Sequence, residues 1–263
     1  MKKTYLYGVA LVVIAAVVLL LALSTFLGPN SSSQNLPAYD NVKVPQSLLS
    51  ELSIPNTISN EVGIGLASRN VKSINGNATY VGGKPEVLYI GAEYCPFCAA
   101  ERWGMVIALM RFGNFSNLHF MTSSKTDYAP STPTFTFYNS TYYSPYISFV
   151  AVEQTTNNMT PLQQPNASEA AVFQQNDPSG GIPFIFFANK TVMLDSNYDP
   201  KSVLGGRNWS EIAQQISNAS SLQAQSIIGT ANLITAQICQ IDNNSPSDVC
   251  SQPYVKAVIS EAG

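Results

Sequence analysis

The chain has 263 residues, and only 11% of them are Asp, Glu, Lys or Arg, less than half the roughly 25% usual in a soluble globular domain. Hydrophobic residues make up 45% of the chain, which excludes a disordered protein because so much apolar surface can form a core. The 13 basic and 16 acidic side chains give a net charge of -3. Nucleic-acid binding is excluded, because no cationic field is available to neutralise a phosphate backbone.

The N-terminal end predicts a membrane anchor. Residues 4–27 contain no charged side chain, and this length is enough to span a bilayer. A cleaved signal peptide is the alternative, although its apolar region is usually only about 7 to 15 residues long. Lys2 and Lys3 precede the span, so residues 1–3 are expected in the cytoplasm and everything after the span outside the cell membrane. Residues 28–45 are rich in Pro, Asn, Ser and Gln and predict a flexible tether.

The sequence also contains many acceptor sites for N-linked glycans. The tripeptide Asn-x-Ser/Thr is a potential glycosylation site. A chain rich in Asn, Ser and Thr produces some of these by chance, but glycans would also supply the solubility that the missing charges do not. The ten candidates are Asn30, Asn77, Asn114, Asn139, Asn158, Asn166, Asn189, Asn208, Asn218 and Asn243.

A Cys-Pro-Phe-Cys motif lies between a predicted strand and a predicted helix. Residues 86–90 are a short apolar run typical of a buried strand. Cys95 and Cys98 follow, with Pro96 in the position that suits the first turn of a helix. The side chains of Trp103, Val106, Ile107 and Met110 then repeat at the spacing of one helical face, and Gly113 is expected at the C′ position.

This placement indicates redox chemistry at Cys95. Free backbone N–H groups and the positive end of the helix dipole favour a thiolate at a helix N-terminus. Cys98 lies three residues on, within disulfide reach, so Cys95 is predicted to attack and Cys98 to resolve. One alternative is half of a structural zinc site, but Cys239 and Cys250 do not form the second close pair that this needs. The other is a passive disulfide.

A second segment carries a resemblance to a known family. Gly180-Gly181-Ile182-Pro183 precedes a predicted antiparallel hairpin over residues 184–194. With the Cys-x-x-Cys motif, it resembles the thioredoxin superfamily, which implies an α/β thioredoxin-like domain over residues 46–219. The resemblance implies that the Ile182-Pro183 bond is cis and that Ile182, Pro183, Tyr94, Pro96 and Phe97 bind substrate beside Cys95. Without it, Pro183 would simply begin an edge strand.

The sequence departs from a minimal thioredoxin in two respects. The distance from Cys95 to Pro183 predicts an insertion, about residues 124–160, between a strand over residues 118–122 and the proline. Tyr89 occupies the position at which thioredoxins carry a buried acid, so no carboxylate is expected there to move protons.

A narrower resemblance rests on three strings of sequence. Residues 89–103 (YIGAEYCPFCAAERW), 111–115 (RFGNF) and 133–137 (PTFTF) resemble an archaeal membrane-anchored family catalogued as a domain of unknown function. This resemblance implies an identity and a location at the archaeal cell surface, where glycosylation is common. It implies no mechanism.

Residues 220–263 predict a C-terminal helical hairpin. Apolar residues from Ala224 to Ile241 follow one helical face, which the capping box Ser220 with Gln223 would start. Cys239 in the last turn and Cys250 after the bend predict a structural disulfide. A second redox pair that passes electrons to Cys95 and Cys98 is the alternative.

Together these features predict an extracytoplasmic, membrane-anchored thiol–disulfide oxidoreductase that acts on thiols or disulfides of secreted or surface proteins. Its only redox group would be the Cys95–Cys98 pair, with no other cofactor and no metal, and a membrane redox partner would recycle it. A reductase or isomerase would use the same residues. A surface interaction or metallochaperone module would keep the fold and use the cysteines for binding.

Overall fold

The computed structural model describes residues 36–74 and 76–261 of the chain. In this part of the chain a short 3₁₀ helix, Leu36–Tyr39, precedes the first α-helix, and a π-helical segment, Ala224–Ile228, precedes the seventh. The α-helices are α1 (Gln46–Glu51), α2 (Asn56–Val62), α3 (Pro96–Met110), α4 (Ala167–Asn176), α5 (Pro200–Leu204), α6 (Trp209–Ile216), α7 (Gly229–Ile241), α8 (Ser247–Cys250) and α9 (Pro253–Glu261). The strands are β1 (Val71–Ser73), β2 (Tyr80–Val81), β3 (Lys84–Gly91), β4 (Asn114–Phe115), β5 (His119–Thr122), β6 (Pro133–Thr136), β7 (Tyr142–Tyr143), β8 (Ser148–Glu153), β9 (Phe184–Phe187) and β10 (Thr191–Leu194).

A mixed sheet forms the centre of this α/β fold, with β3 in its middle. Strand β8 pairs with β3 in parallel, from Glu86↔Ser148 to Gly91↔Glu153. Strand β9 pairs with β3 in the antiparallel sense, and β10 and β1 follow outward from β9. The strand order is therefore β8-β3-β9-β10-β1, with β2 pairing with the first residues of β3.

Strand β3 is buried on both faces, as the apolar run of residues 86–90 predicted. Successive side chains of a strand point to opposite faces, and the two faces contribute to two hydrophobic cores. Val87 and Tyr89 lie in the larger core, which includes most of α3. Leu88 and Ile90 lie in the smaller core, on the face against which Phe173 of α4 packs. The sheet therefore has helices on both sides.

Helix α3 begins directly after Cys95 and is buried along most of its length. It packs closely on α7 because Gly104 has no side chain: a Cβ there would lie 2.6 Å from Cγ2 of Thr230. The C-cap is Arg111, so the prediction of Gly113 as the C′ residue is wrong by one position. A glycine is required at position 113 for lack of space, since a Cβ there would lie 2.1 Å from the carbonyl oxygen of Tyr143.

The segment between α3 and β8 differs from the prediction. Strand β5, after which the insertion was predicted to begin, pairs with β6 in a separate two-stranded sheet, and β4 pairs with β7 in another. The parallel neighbour of β3 is β8, which lies inside the predicted insertion of residues 124–160. The extra strands therefore precede the parallel strand instead of following it. The segments of β5 and β8 are both short apolar runs. The alternation of side chains within a strand does not reveal which neighbour that strand pairs with.

Residues 36–44 pack on the domain, although the sequence predicted a tether over residues 28–45. The backbone N–H of Asn41 donates to the carbonyl of Phe120, and that of Val44 to the carbonyl of Leu118, each over 2.9 Å. The ring of Tyr39 lies 5.8 Å from that of Trp209. These backbone hydrogen bonds to β5 and to Leu118, the residue before β5, attach the segment to the domain.

The helix predicted from Ala224 to Ile241 begins differently from the prediction. Its first helical residues are 222 and 223, and the backbone N–H of Ala224 donates to Oγ of Ser221, not of Ser220. The side chain of Gln223 donates to the carbonyl of Val203 and forms no capping box. The predicted capping box is absent because the side chain of Gln223 makes a tertiary hydrogen bond instead.

None of the helices in residues 36–74 and 76–261 combines the length and the apolar character that crossing a membrane requires. The predicted anchor, residues 4–27, lies outside the described residues.

Candidate active site

Cys95 lies at the N-terminus of α3, one turn after the end of β3. It is the N-cap residue, with an extended backbone (φ -72°, ψ 119°), and Pro96 takes the first helical position. The backbone N–H of Cys98 donates to Sγ of Cys95 over 3.1 Å. Both cysteines are free thiols and are buried, with 5% of Cys95 and none of Cys98 exposed to solvent.

The two thiols differ in acidity. Hydrogen bonding from the side chain of Cys98 is the largest cause of a lowered pKa at Cys95, and backbone N–H groups of the first helical turn add to it. Burial raises the pKa of Cys98 well above its usual value, and the neighbouring Cys95 raises it further. The arrangement therefore favours a Cys95 thiolate stabilised by a protonated Cys98.

The Ile182-Pro183 peptide bond is cis and lies beside Cys95. The Cys95 thiol donates to the carbonyl oxygen of Ile182, with sulfur and oxygen 3.9 Å apart. Pro183 is buried and leads directly into β9, whereas Ile182 is half-buried. These two predicted residues thus meet the Cys-x-x-Cys motif in space, 87 residues along the chain from Cys95.

Tyr94 and Phe97, both half-buried, flank Cys95 and contact a loop that the sequence did not point to. This loop, residues 123–132, connects β5 to β6 and is called the hairpin tip below. It extends from the separate β5–β6 sheet to the site. The backbone N–H of Ser124 donates to the carbonyl of Tyr94 over 2.9 Å. The ring of Tyr128 stacks on that of Phe97, with centroids 5.7 Å apart and planes 6° apart. Nothing in the local sequence of Tyr128 indicates this contact.

Tyr128 is held in place by a second element. Its hydroxyl donates to Oδ2 of Asp199 over 2.8 Å, and Nζ of Lys201 lies 5.5 Å from the centre of its ring. Half of the tyrosine remains exposed. The hairpin tip therefore presents an accessible aromatic ring next to Phe97.

A buried ion pair lies beside the motif and was also missed. Arg102 of α3 and Glu153 of β8 are both fully buried, and Nη2 of Arg102 lies 2.6 Å from Oε2 of Glu153. A second bond joins Nε of Arg102 to Oε1 of Glu153 over 2.9 Å. The available signal was the pair of adjacent charges, Glu101-Arg102, inside an otherwise apolar helix of a chain with few charges.

Tyr89 is fully buried, and the buried carboxylates lie at other positions. Glu93, Glu101 and Glu153 are all buried. Burial raises the pKa of Glu101 to about 7, although Asn197 donates two hydrogen bonds to its carboxylate. Burial also raises the pKa of Glu93, whose carboxylate accepts a hydrogen bond from Thr136. The prediction concerned position 89 alone, and these buried carboxylates at other positions were not predicted.

Cys239 and Cys250 are bonded to each other and remain separate from the motif. Their sulfur atoms are 1.95 Å apart and their Cα atoms 5.6 Å apart. The bond joins the last turn of α7 to the last residue of α8.

The sequons differ in accessibility. Asn189 and Asn208 are half-buried; Nδ2 of Asn189 donates to the carbonyl of Asn77, and Oδ1 of Asn208 caps α6. Asn30 lies outside the described residues. The exposed candidates are Asn77, Asn114, Asn139, Asn158, Asn166, Asn218 and Asn243.

Within the described part of the chain, no three His, Cys, Asp or Glu side chains lie close enough together to hold a metal ion. No curated protein and no solved structure matches the chain. A family model does match, and the matched segment contains Cys95, Cys98, Arg102, Glu153 and Pro183 but not the C-terminal disulfide. Over residues 70–185 the chain is similar to the family described as Domain of unknown function (DUF929).

Proposed function

We propose that this protein is a thiol–disulfide oxidoreductase, anchored in the cell membrane by residues 4–27, whose domain faces outward and acts on secreted or surface proteins. Cys95 and Cys98 are its redox pair and need no other cofactor. The observation that carries the proposal is the asymmetry of the two thiols. A helix N-cap and hydrogen bonds from Cys98 lower the pKa of Cys95, while burial raises that of Cys98.

The fold supports the proposal. A central strand leads into the Cys-x-x-Cys helix, a parallel strand lies on one side of it, and an antiparallel hairpin opened by a cis-proline lies on the other. That order is the one found in the thioredoxin superfamily. A fold alone does not assign a function, so the proposal depends on the site and uses the fold as support.

The reaction proceeds by two thiol–disulfide exchanges. A substrate thiolate attacks Sγ of Cys95 in the oxidised pair, the Cys95–Cys98 bond breaks, and Cys98 leaves with the electron pair and takes up a proton. A second substrate thiolate attacks the substrate sulfur of the mixed disulfide and releases Cys95 as a thiolate. The substrate dithiol has then lost two electrons and two protons, and the pair has gained two electrons. A membrane redox partner that carries a disulfide would reoxidise the pair by the same exchange.

The backbone of Ile182 and the rings of Tyr94 and Phe97 are the proposed contacts for the substrate polypeptide, with Pro96 and Pro183 shaping the two sides. Sγ of Cys95 faces the carbonyl of Ile182, and an extended chain that paired with this backbone would bring its own cysteine to Cys95. A reductase or isomerase would use the same contacts with electrons flowing the other way.

Trapping tests the proposal. The full chain carrying Cys98→Ser, expressed in its own cell, is expected to accumulate mixed disulfides with surface or secreted proteins, because the resolving thiol is gone. The matched control is Cys98→Ser combined with Cys95→Ser, which removes the attacking thiol as well. If the single variant captures no more partners than the double variant does, the chain is a binding module and not an oxidoreductase.

A further inference from the structure

We propose that Arg102 is a positioning residue of the redox pair: a buried cation on the face of α3 that carries Cys98, it holds the turn before Cys95 and favours electron transfer into the pair. The inference rests on the proposed function and adds the direction of electron flow, from substrate dithiol to Cys95–Cys98.

The helix places this cation next to the pair. Cys98 and Arg102 are four residues apart and Cys95 is three residues before Cys98, so the three side chains share one face of the first two turns. Arg102 is fully buried, and a charge in a dry interior acts over longer distances than a charge in water.

Arg102 also fixes the backbone from which Cys95 projects. Its Nη2 donates to the carbonyl of Ala92 over 2.7 Å, and the same carbonyl accepts the backbone N–H of Cys95 over 3.3 Å. Through Glu153 the guanidinium reaches the end of β8, beside Gly91 of β3. One side chain therefore connects the redox helix, the turn before it and the two parallel strands.

The ion pair leaves one edge of the Arg102 guanidinium without a hydrogen bond in the described part of the chain. Glu153 binds Nε and Nη2, whereas Nη1 is buried and has no hydrogen-bond partner among the described residues. The hydroxyl of Tyr89 is also buried without a hydrogen-bond partner among the described residues. Cζ of Arg102 lies 5.8 Å from the centre of the Tyr89 ring. A guanidinium with an unpaired buried edge favours a nearby anion, and the thiolates are the anions that the catalytic cycle creates.

The titration of the thiols agrees with this geometry. Hydrogen bonding from Cys98 is the main cause of the low pKa of Cys95, and Arg102 is the charged side chain that adds to it. Burial raises the pKa of Cys98, and Arg102 opposes that rise. The other titratable groups that face the site are Tyr89 on β3, Glu153 on β8, and Glu93 and Tyr94 before the motif.

A stabilised Cys95 thiolate favours the reduced state of the pair. In the second exchange, Cys95 leaves the mixed disulfide as a thiolate, and a thiol of lower pKa leaves faster. The oxidised pair is correspondingly a stronger acceptor of electrons from a substrate dithiol. The buried cation Arg102 on the helix face of the motif therefore points to an oxidase.

The test compares charge variants of the full chain in detergent. Arg102→Met with Glu153→Gln removes both charges together and avoids leaving one buried charge alone. Arg102→Lys keeps the positive charge but loses the paired Nε and Nη2 donors of the guanidinium. Glu153→Gln keeps Arg102 but removes its counter-charge. Glu101→Gln is the matched control, since Glu101 is the adjacent buried charge of α3 and bonds to Asn197. Two quantities are measured: the pH dependence of Cys95 alkylation by iodoacetamide, read on its peptide by mass spectrometry, and the equilibrium of the pair with glutathione.

In the double variant, the Cys95 thiolate fraction at a given mildly acidic pH is expected to fall about tenfold or more, and the equilibrium with glutathione to shift toward the disulfide. Arg102→Lys and Glu101→Gln should titrate like the natural chain, and Glu153→Gln should titrate at the same or a lower pH. Equal titration of the double variant and the natural chain would overturn the inference, as would a rise in Glu153→Gln. A natural chain whose pair never equilibrates with glutathione would instead refute the proposed function.

Discussion

At the scale of single residues, the chemistry depends on how unequal Cys95 and Cys98 are. Both are buried thiols in the first turn of α3, yet the pKa of one is lowered and that of the other raised. Because the Cys98 thiol and backbone both donate toward Cys95, the second cysteine lowers the pKa of the first, whatever its proposed role as the resolving thiol. Replacing Cys98 therefore changes the reactivity of Cys95 as well.

Cys98→Ala is expected to make Cys95 less reactive in mild acid than Cys98→Ser does. Serine keeps a hydroxyl donor and alanine does not, so the pKa of Cys95 rises toward its ordinary value in the alanine variant and less thiolate exists below that pKa. The backbone N–H of Cys98, 3.1 Å from the sulfur, remains in both variants, so some lowering of the pKa persists. Alkylation rates of Cys95 over a pH series measure the difference; identical profiles would mean that the Cys98 side chain has no influence.

At the scale of elements, the extra β5–β6 hairpin is what distinguishes this site. Its tip joins the site at the carbonyl of Tyr94 and stacks Tyr128 on Phe97. An aromatic ring that is half exposed and fixed by Asp199 offers an apolar surface to a polypeptide at little cost in side-chain entropy. We therefore propose that the hairpin tip adds to the substrate contacts proposed for Ile182 and Pro183.

Tyr128→Ala is expected to weaken the reaction with polypeptide substrates several-fold while leaving the reaction with a small thiol such as glutathione unchanged or faster. The large substrate loses an aromatic contact worth about 1 kcal/mol, and the small one loses nothing. Steady-state kinetics with a cysteine-containing peptide and with glutathione separate the two effects. Tyr143→Ala is the control, because Tyr143 is 70% exposed on another two-stranded sheet. Equal losses for peptide and small thiol would contradict the assignment.

The Cys239–Cys250 bond is expected to stabilise the fold without taking part in catalysis. It closes a separation of 11 residues, which corresponds to about 2 to 3 kcal/mol in the chain-entropy model. Replacing both cysteines by serine should lower the free energy of unfolding by about that amount, measured by urea denaturation. Mixed-disulfide trapping through Cys95 should persist in this variant. A loss of trapping in a folded double variant would instead support the alternative of a second redox pair.

Sequence patterns predicted the elements whose information is local. The strand before Cys95 and helix α3 follow from periodicity and flanking residues, and the Cys239–Cys250 pairing follows from a short separation between two helices. Apart from the cis Ile182-Pro183 bond beside Cys95, which the thioredoxin resemblance implied, long-range contacts were not available from the sequence. Nothing in the composition of β5 and β8 reveals which one pairs with β3, and nothing near Tyr128 reveals Phe97. Arg102 and Glu153 are 51 residues apart, so their pairing also depends on the fold.

At the scale of the whole molecule, several of the few charged side chains are carboxyl groups inside the protein. Burial is the largest cause of the raised pKa of Glu101, to about 7, and of Asp242, to about 6. Burial also raises the pKa of Glu93 and Asp40. Asp199 behaves in the opposite way, because hydrogen bonds from the backbone of Ser202 lower its pKa, but it is mostly accessible to solvent. The sum favours a protein that is at its most stable in mild acid.

The direction follows from proton binding. A carboxyl whose pKa is higher in the folded state than in the unfolded state binds more protons when folded, so the stability it confers is complete below the unfolded pKa and is lost as the pH rises through the folded pKa. For Glu101 the window runs from the ordinary value of 4.5 to about 7. The urea midpoint is therefore expected to rise as the pH is lowered from 7 to about 5, by a free energy on the order of 1 to 3 kcal/mol. Glu101→Gln, which keeps one of the two oxygens that accept hydrogen bonds from Asn197, should flatten that slope. A midpoint that falls toward pH 5 in the natural chain would mean that these carboxyls are already ionised and paired in the folded protein.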